Sequence, residues 1–258
     1  EDLLDLAQAH LPRLNGIHAS AALVTLARAA PGGAVRLRED PRFGQLLGRV
    51  DELIPALGAQ ACANVLWGLA KVRHHPGEAF LARLAGASER ALADFWPQNL
   101  ANCLWAYVAL RRHSPGTAHL SALAGAVEAK AGSLSPAELA MSLWAFARLR
   151  HSLSGAHMEV WSEAAASRAP FFRPEDLARC LSASAALGVR PCPKLLRALA
   201  AEVEKKLPAF SPRQARLTLW ACRKLAVELR PDALQAAGGS KSGRDDPLAT
   251  ELGVAQGS

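Results

Sequence analysis

Aromatic residues make up only 5% of this chain, which has six Trp, seven Phe and one Tyr. The apolar half of the composition is mostly Ala and Leu, a mixture that favours helices over strands. Cysteine is also sparse. Cys62, Cys103, Cys180, Cys192 and Cys222 form neither a C-x-x-C pair nor a Cys/His cluster at zinc spacing. Four of them sit where Cys serves as a small apolar residue, and a reducing compartment is the simplest reading. No uncharged apolar run approaches the roughly 18 residues of a membrane span, so no membrane contact is expected. Acidic residues are outnumbered, 23 Asp and Glu against 30 Lys and Arg, for a formal net charge of +7. That balance points to polyanionic partners such as nucleic acid and says nothing about fold.

Catalytic signatures are missing too. There is no Gly-rich phosphate loop, no H-E-x-x-H, no nucleophile elbow and no plausible pair of carboxylates. A non-catalytic protein without cofactor or metal is therefore expected. His74, His75, His113 and His151 recur at the same kind of inter-helix turn, so they read as part of a repeating grammar.

What the chain does have is a period. Residues 97–110 (PQNLANCLWAYVAL) recur as 135–149 (SPAELAMSLWAFARL), as 60–72 (QACANVLWGLAKV) and as 212–225 (PRQARLTLWACRKL). A copy without Trp runs from 174 to 187, and a weaker one starts at Gly16. The Trp slot holds Val24, Trp67, Trp105, Trp144, Ser182 and Trp220, at intervals of 43, 38, 39, 38 and 38 residues. A fixed period in this range marks stacked helical repeats, each burying its apolar face on its neighbour. The expectation is an all-α chain, an α-solenoid of about six helix–turn–helix units with partial repeats at both ends. It spans residues 1–236, and 237–258 form a linker-like tail. Second helices are expected near 78–93, 117–131, 156–168 and 194–206, and residues 31–38 as a longer loop. Asp40-Pro41 reads as a helix start. Residues 1–11 look like the second helix of a preceding, incomplete repeat.

A helical projection of the repeat separates its columns. Leu23, Leu66, Leu104, Leu143, Leu181 and Leu219 form the core column, with Ala63, Ala101, Ala140 and Ala178 beside it for close helix approach. The Trp column lies on a flank, as a packing wedge between repeats or as a platform for an RNA base. Opposite the Leu stripe are three rows. One holds Asn64, Asn102 and Arg179; a second holds Asn99, Glu138, Asp176 and Gln214; a third is basic at Arg28, Lys71, Arg148 and Lys224. Hydrogen-bonding groups beside phosphate-neutralising ones suit an RNA-reading array, and a solvated polar face is the alternative. Arg73, Arg111, Arg112 and Arg150 add charge at the helix ends, for phosphate contact or for capping.

The period of 38 with P-x-x-L-A-x-x-L-W-A-x-A-x-L resembles the octotricopeptide repeat (OPR) family, over residue 16 to about residue 225. Residues 60–72, 97–110 and 136–149 carry the resemblance most specifically, and Val24 and Ser182 depart from it. The resemblance implies an α-solenoid that binds organellar RNA. Such proteins are structural components of mitochondrial ribosomes that clamp ribosomal RNA, or factors for messenger-RNA maturation, stability or translation. The RAP domain that larger relatives carry is not found in this sequence. About six units read few bases, which favours the ribosomal role, with ribosomal RNA and other ribosomal proteins as partners in the mitochondrion. The chloroplast is the alternative compartment, and a HEAT-like protein-binding scaffold the alternative function.

Overall fold

The computed structural model describes residues 2–30, 34–110 and 115–230. Among them every regular element is helical: thirteen α-helices and six 3-10 turns, with no strand. The Ala- and Leu-rich composition leads here directly, because both residues lose little on entering a helix. The chain divides into two compact units, Glu1–Val127 and Glu128–Ser258.

The first unit contains α1 (Asp2–Ala9), α2 (Gly16–Ala29), α3 (Ala34–Glu39), α4 (Pro41–Leu53), α5 (Ala59–Lys71), α6 (Glu78–Arg90), α7 (Pro97–Ala109) and most of α8 (Thr117–Ala129). Helix α5 packs between α2 and α7, while α4 lies against α1 and α2, and α6 against α5. The second unit contains α9 (Pro136–Arg148), α10 (Gly155–Arg168), α11 (Pro174–Leu187), α12 (Pro193–Lys206) and α13 (Pro212–Lys224). There α11 packs between α9 and α13, and α10 packs on α12. In both units, then, the Trp-slot helices form one layer and the intervening helices another.

The local grammar repeats as well. Pro occupies the first turn of α4, α7, α9, α11, α12 and α13, where its missing N–H costs nothing. Asp40 caps α4 by accepting from the Arg42 amide at 2.9 Å, as its position before Pro41 implies. At the other end of α5, α9, α11 and α13, the residue six places after the slot turns left-handed. Arg73, Arg150, Gly188 and Ala226 have φ of 53°, 55°, 66° and 50°. Three of these turns close with a six-to-one bond: His74 N–H to the Leu69 carbonyl (2.9 Å), His151 to Phe146 (3.0 Å) and Val227 to Cys222 (2.8 Å). Each intervening helix leads into a 3-10 turn, at Leu11–Arg13, Ile54–Ala56, Leu92–Asp94, Ala131–Ser133, Ala169–Phe171 and Leu207–Ala209. Helix α1 is likewise followed by a 3-10 turn, Leu11–Arg13.

The Leu column is the core: Leu23, Leu66, Leu104, Leu143 and Leu181 are fully buried, and Leu219 is half-buried. Close approach of α2 and α5 depends on Gly68, where a Cβ would stand 2.7 Å from Leu23 Cγ. The segment expected as a long loop is corrected in part. Residues 34–39 form α3, because Leu37 finds a buried place and Arg38 reaches the Val72 carbonyl at 2.7 Å. Residues 31–33, and the tail at 237–258, lie outside the described residues.

Several cations are committed to architecture. Arg49 of α4 donates to the Leu14 carbonyl at 3.1 and 3.0 Å, just past the first 3-10 turn. Arg168 of α10 donates to the Gly132 carbonyl, and Lys206 of α12 to the carbonyls of Pro170 (2.7 Å) and Phe172 (2.8 Å). In each case the second helix of one repeat is tied to the 3-10 turn about one period earlier. Among the described residues no helix is long and apolar enough to cross a membrane.

Candidate nucleic-acid interface

Burial along α5 defines one open stripe. The residues not buried are Gln60, Asn64, Trp67 and Lys71, spaced four, three and four apart. Those steps bring successive side chains back within about 60° of one another, so the four line a single face. Helix α9 repeats the register with Ala137, Met141, Trp144 and Arg148. The Trp slot therefore stands between the row of Asn64 and the row of Lys71. It belongs to the polar face, where the sequence projection had set it apart on a flank.

Contacts on the stripe join two of the sequence columns. The Arg28 guanidinium lies 5.7 Å and the Lys71 ammonium 5.9 Å from the Trp67 ring centre. Arg148 sits 5.9 Å from Trp144, and Lys224 5.1 Å from Trp220. All four members of the basic row thus rest on tryptophans. Three do so within their own helix, four residues on, and Arg28 does so across from α2. At such exposed positions a cation–π contact contributes about 0.5–1 kcal/mol, enough to bias a side chain without locking it. The rings of Trp67 and Trp105 approach to 6.5 Å at 36°. This is inter-helix contact of the kind a packing wedge makes, yet Trp67, Trp105, Trp144 and Trp220 are all only half-buried. Ser182, by contrast, is buried, and α11 brings neither a ring nor, at Ala186, a cation to the stripe.

The remaining sequence candidates separate into groups. Asn99, Glu138, Asp176 and Gln214 share one structural duty at the third position of their helices. Their side-chain oxygens accept the amides of Trp96 (2.9 Å), Ser135 (2.7 Å), Arg173 (3.2 Å) and Ser211 (2.8 Å). At Ser135 and Ser211 the hydroxyl accepts the third-position amide in return, at 3.3 Å each, which completes a capping box, whereas Trp96 and Arg173 have no side-chain acceptor; in all four the row takes its hydrogen-bonding chemistry from helix termination. Asp176 is only 1% exposed and also meets Arg173 Nε at 3.2 Å and Arg179 at 3.7 Å. Asn64, Asn102 and Arg179 are half-buried on the stripe beside the Trp slot. Arg73 and Arg150 are exposed at the left-handed turns. Arg111 and Arg112 lie outside the described residues. The tryptophans, which the sequence offers as a packing wedge or as a platform for an RNA base, stand on the same stripe. The signal that places them is the four–three–four spacing of the residues left out of the core.

Four of the five thiols are turned inward, and Cys192 is half-buried. Burial raises the Cys62 thiol to about 11 and the Cys222 thiol to about 12, and holds Cys103 and Cys180 higher still. They stay un-ionised at neutral pH and behave as core residues. The Tyr107 hydroxyl, at 0% exposure, pairs with His119 Nε2 at 3.1 Å, and that bond accounts for a buried phenol. Among the described residues no group of three or more His, Cys, Asp and Glu could hold a metal ion. No family model matches the chain, and no match is found among curated proteins.

Proposed function

We propose that the protein is a non-catalytic RNA-binding repeat protein, an OPR-like α-solenoid of about six units with a period of 38 residues. The observation that carries this reading is the placement of Arg28, Lys71, Arg148 and Lys224. One sequence column supplies four cations, and all four stand over half-buried aromatic rings on the open faces of their helices. A positive row beside Asn64, Asn102 and Arg179 offers phosphate neutralisation next to hydrogen-bonding groups, which is how RNA-binding surfaces divide labour.

The form we favour is a structural component of a mitochondrial ribosome that clamps ribosomal RNA beside other ribosomal proteins. A one-base-per-unit array of about six units would read too few bases to single out one transcript. Binding of ribosomal RNA should fall steeply with salt, because phosphate contacts release counterions. Changing all four cations to Glu should remove most of the binding and lower the slope of log K against log salt by about 3. Unchanged binding in that variant would refute the assigned surface. Sedimentation of native particles at moderate salt separates the cellular roles: migration away from ribosomal subunits favours a messenger-RNA factor, and a nuclease-resistant protein complex favours a HEAT-like scaffold.

A further inference from the structure

We infer that the Trp-bearing face of each compact unit takes unpaired RNA, with Trp67 and Trp105 of the first unit as a two-ring stacking platform and Trp144 and Trp220 of the second as single platforms; this rests on the RNA-binding reading above. Four rings are left half-buried in an otherwise Leu- and Ala-packed layer, although full burial is where an indole contributes most. Each of Trp67, Trp144 and Trp220 carries a cation between 5.1 and 5.9 Å from its centre. A ring with a cation over it offers both parts of a nucleotide a partner, the ring for the base once the side chain moves off it and the cation for the phosphate. Lys71, Lys224 and Arg28 are themselves exposed, so their flexible stems can swing aside to admit a base.

The same geometry selects against duplex. In a paired A-form helix each base face is covered by its neighbours, and only the edges and the sugar–phosphate backbone are offered outward. An indole face has nothing to stack on there, whereas every unpaired base presents a face whatever its identity. No Asp or Glu occupies the Trp slot or the row of Lys71 in any repeat, so nothing in those columns repels phosphate. The arrangement also sets where contact is lost. Helix α11, with Ser182 and Ala186 in these slots, adds no platform, and α7 has the Trp105 ring with Ala109 where the cation would stand. Bound strand should be held most strongly over α5 within the first unit, and over α9 and α13 within the second.

The test uses the whole chain and two labelled probes, a random-sequence single-stranded RNA pool and a duplex of equal length, followed by fluorescence anisotropy across a salt series. The single strand should bind more tightly than the duplex. Replacing Trp67 and Trp105 together by Leu should weaken single-strand binding about 5- to 150-fold while leaving the salt slope unchanged. A Phe pair at the same positions should restore most of it, and circular dichroism of both variants reports folding. If duplex binds as well as single strand, or the folded Leu variant binds like the parent, the stacking platform is overturned and RNA binding stands. If neither probe binds, the RNA-binding reading itself falls, and the platform with it.

Discussion

At the scale of single residues, the left-handed turn after the Trp-slot helices offers an internal comparison. Gly188 adopts this conformation without a Cβ penalty, whereas Arg73, Arg150 and Ala226 adopt it against one. Gly188→Ala should therefore destabilise the protein by about 1 kcal/mol, and Arg150→Gly should be neutral or stabilising by up to about 1 kcal/mol. Urea unfolding of the two variants beside the parent measures both. Arg at these positions was legible in the sequence as a basic cluster, but its backbone state was not, since Gly is the usual signal for such a turn. A similar ambiguity hid the duty of Asn99, Glu138, Asp176 and Gln214. Four hydrogen-bonding types in one column look like a reading code, and the same variety serves a helix start, where the N-cap amide only needs an oxygen to accept it.

At the scale of elements, the helices were legible because Pro starts and the recurring Leu column mark them at a fixed period. The 3-10 turns were not, since three residues carry no period to detect. Residues 34–39 were lost among Gly-rich neighbours, although Leu37 and Arg38 both find partners on the folded chain. The packing of α2 on α5 makes a sharper point. Gly68 stands where the other Trp-bearing copies have Ala, and the Leu23 side chain fills the space its Cβ would take. Leu23 is fully buried and cannot retreat. Gly68→Val should cost about 1–3 kcal/mol through overpacking, seen as a lower melting temperature in calorimetry. Should the melting temperature rise instead, the two helices approach less closely than described.

At the scale of the molecule, the charge has two destinations. Arg49, Arg168 and Lys206 are used inside the fold, and Arg28, Lys71, Arg148 and Lys224 sit on the aromatic stripe. A net charge cannot reveal this division, and neither can a count of basic residues per repeat. The response to acid also belongs to this scale. Burial lowers the pKa of His74, with Arg38 and His75 adding to the effect, and burial beside His157 lowers that of His151. The unfolded chain therefore takes up protons more readily at these sites, and their stabilisation, complete above the ordinary His value, is lost as pH falls through it. Hydrogen bonds from Arg42 hold the Asp40 carboxyl near 2, so its share is lost later, as pH drops below the ordinary carboxylate value. Denaturation midpoints should be flat from pH 8 to 7, begin to decline as pH falls below about 6.5, and decline further below about 4. Replacing His74 and His151 by Phe should flatten the first decline and spare the second.

The ties from Arg49, Arg168 and Lys206 share one more property: the acceptor is always a main-chain oxygen. Only one partner in each such contact is therefore written in the genetic text. Each tie tolerates any side chain at its acceptor residue, because the carbonyl is there regardless. That asymmetry fits a chain whose copies range from clear to barely recognisable while the helical grammar stays the same.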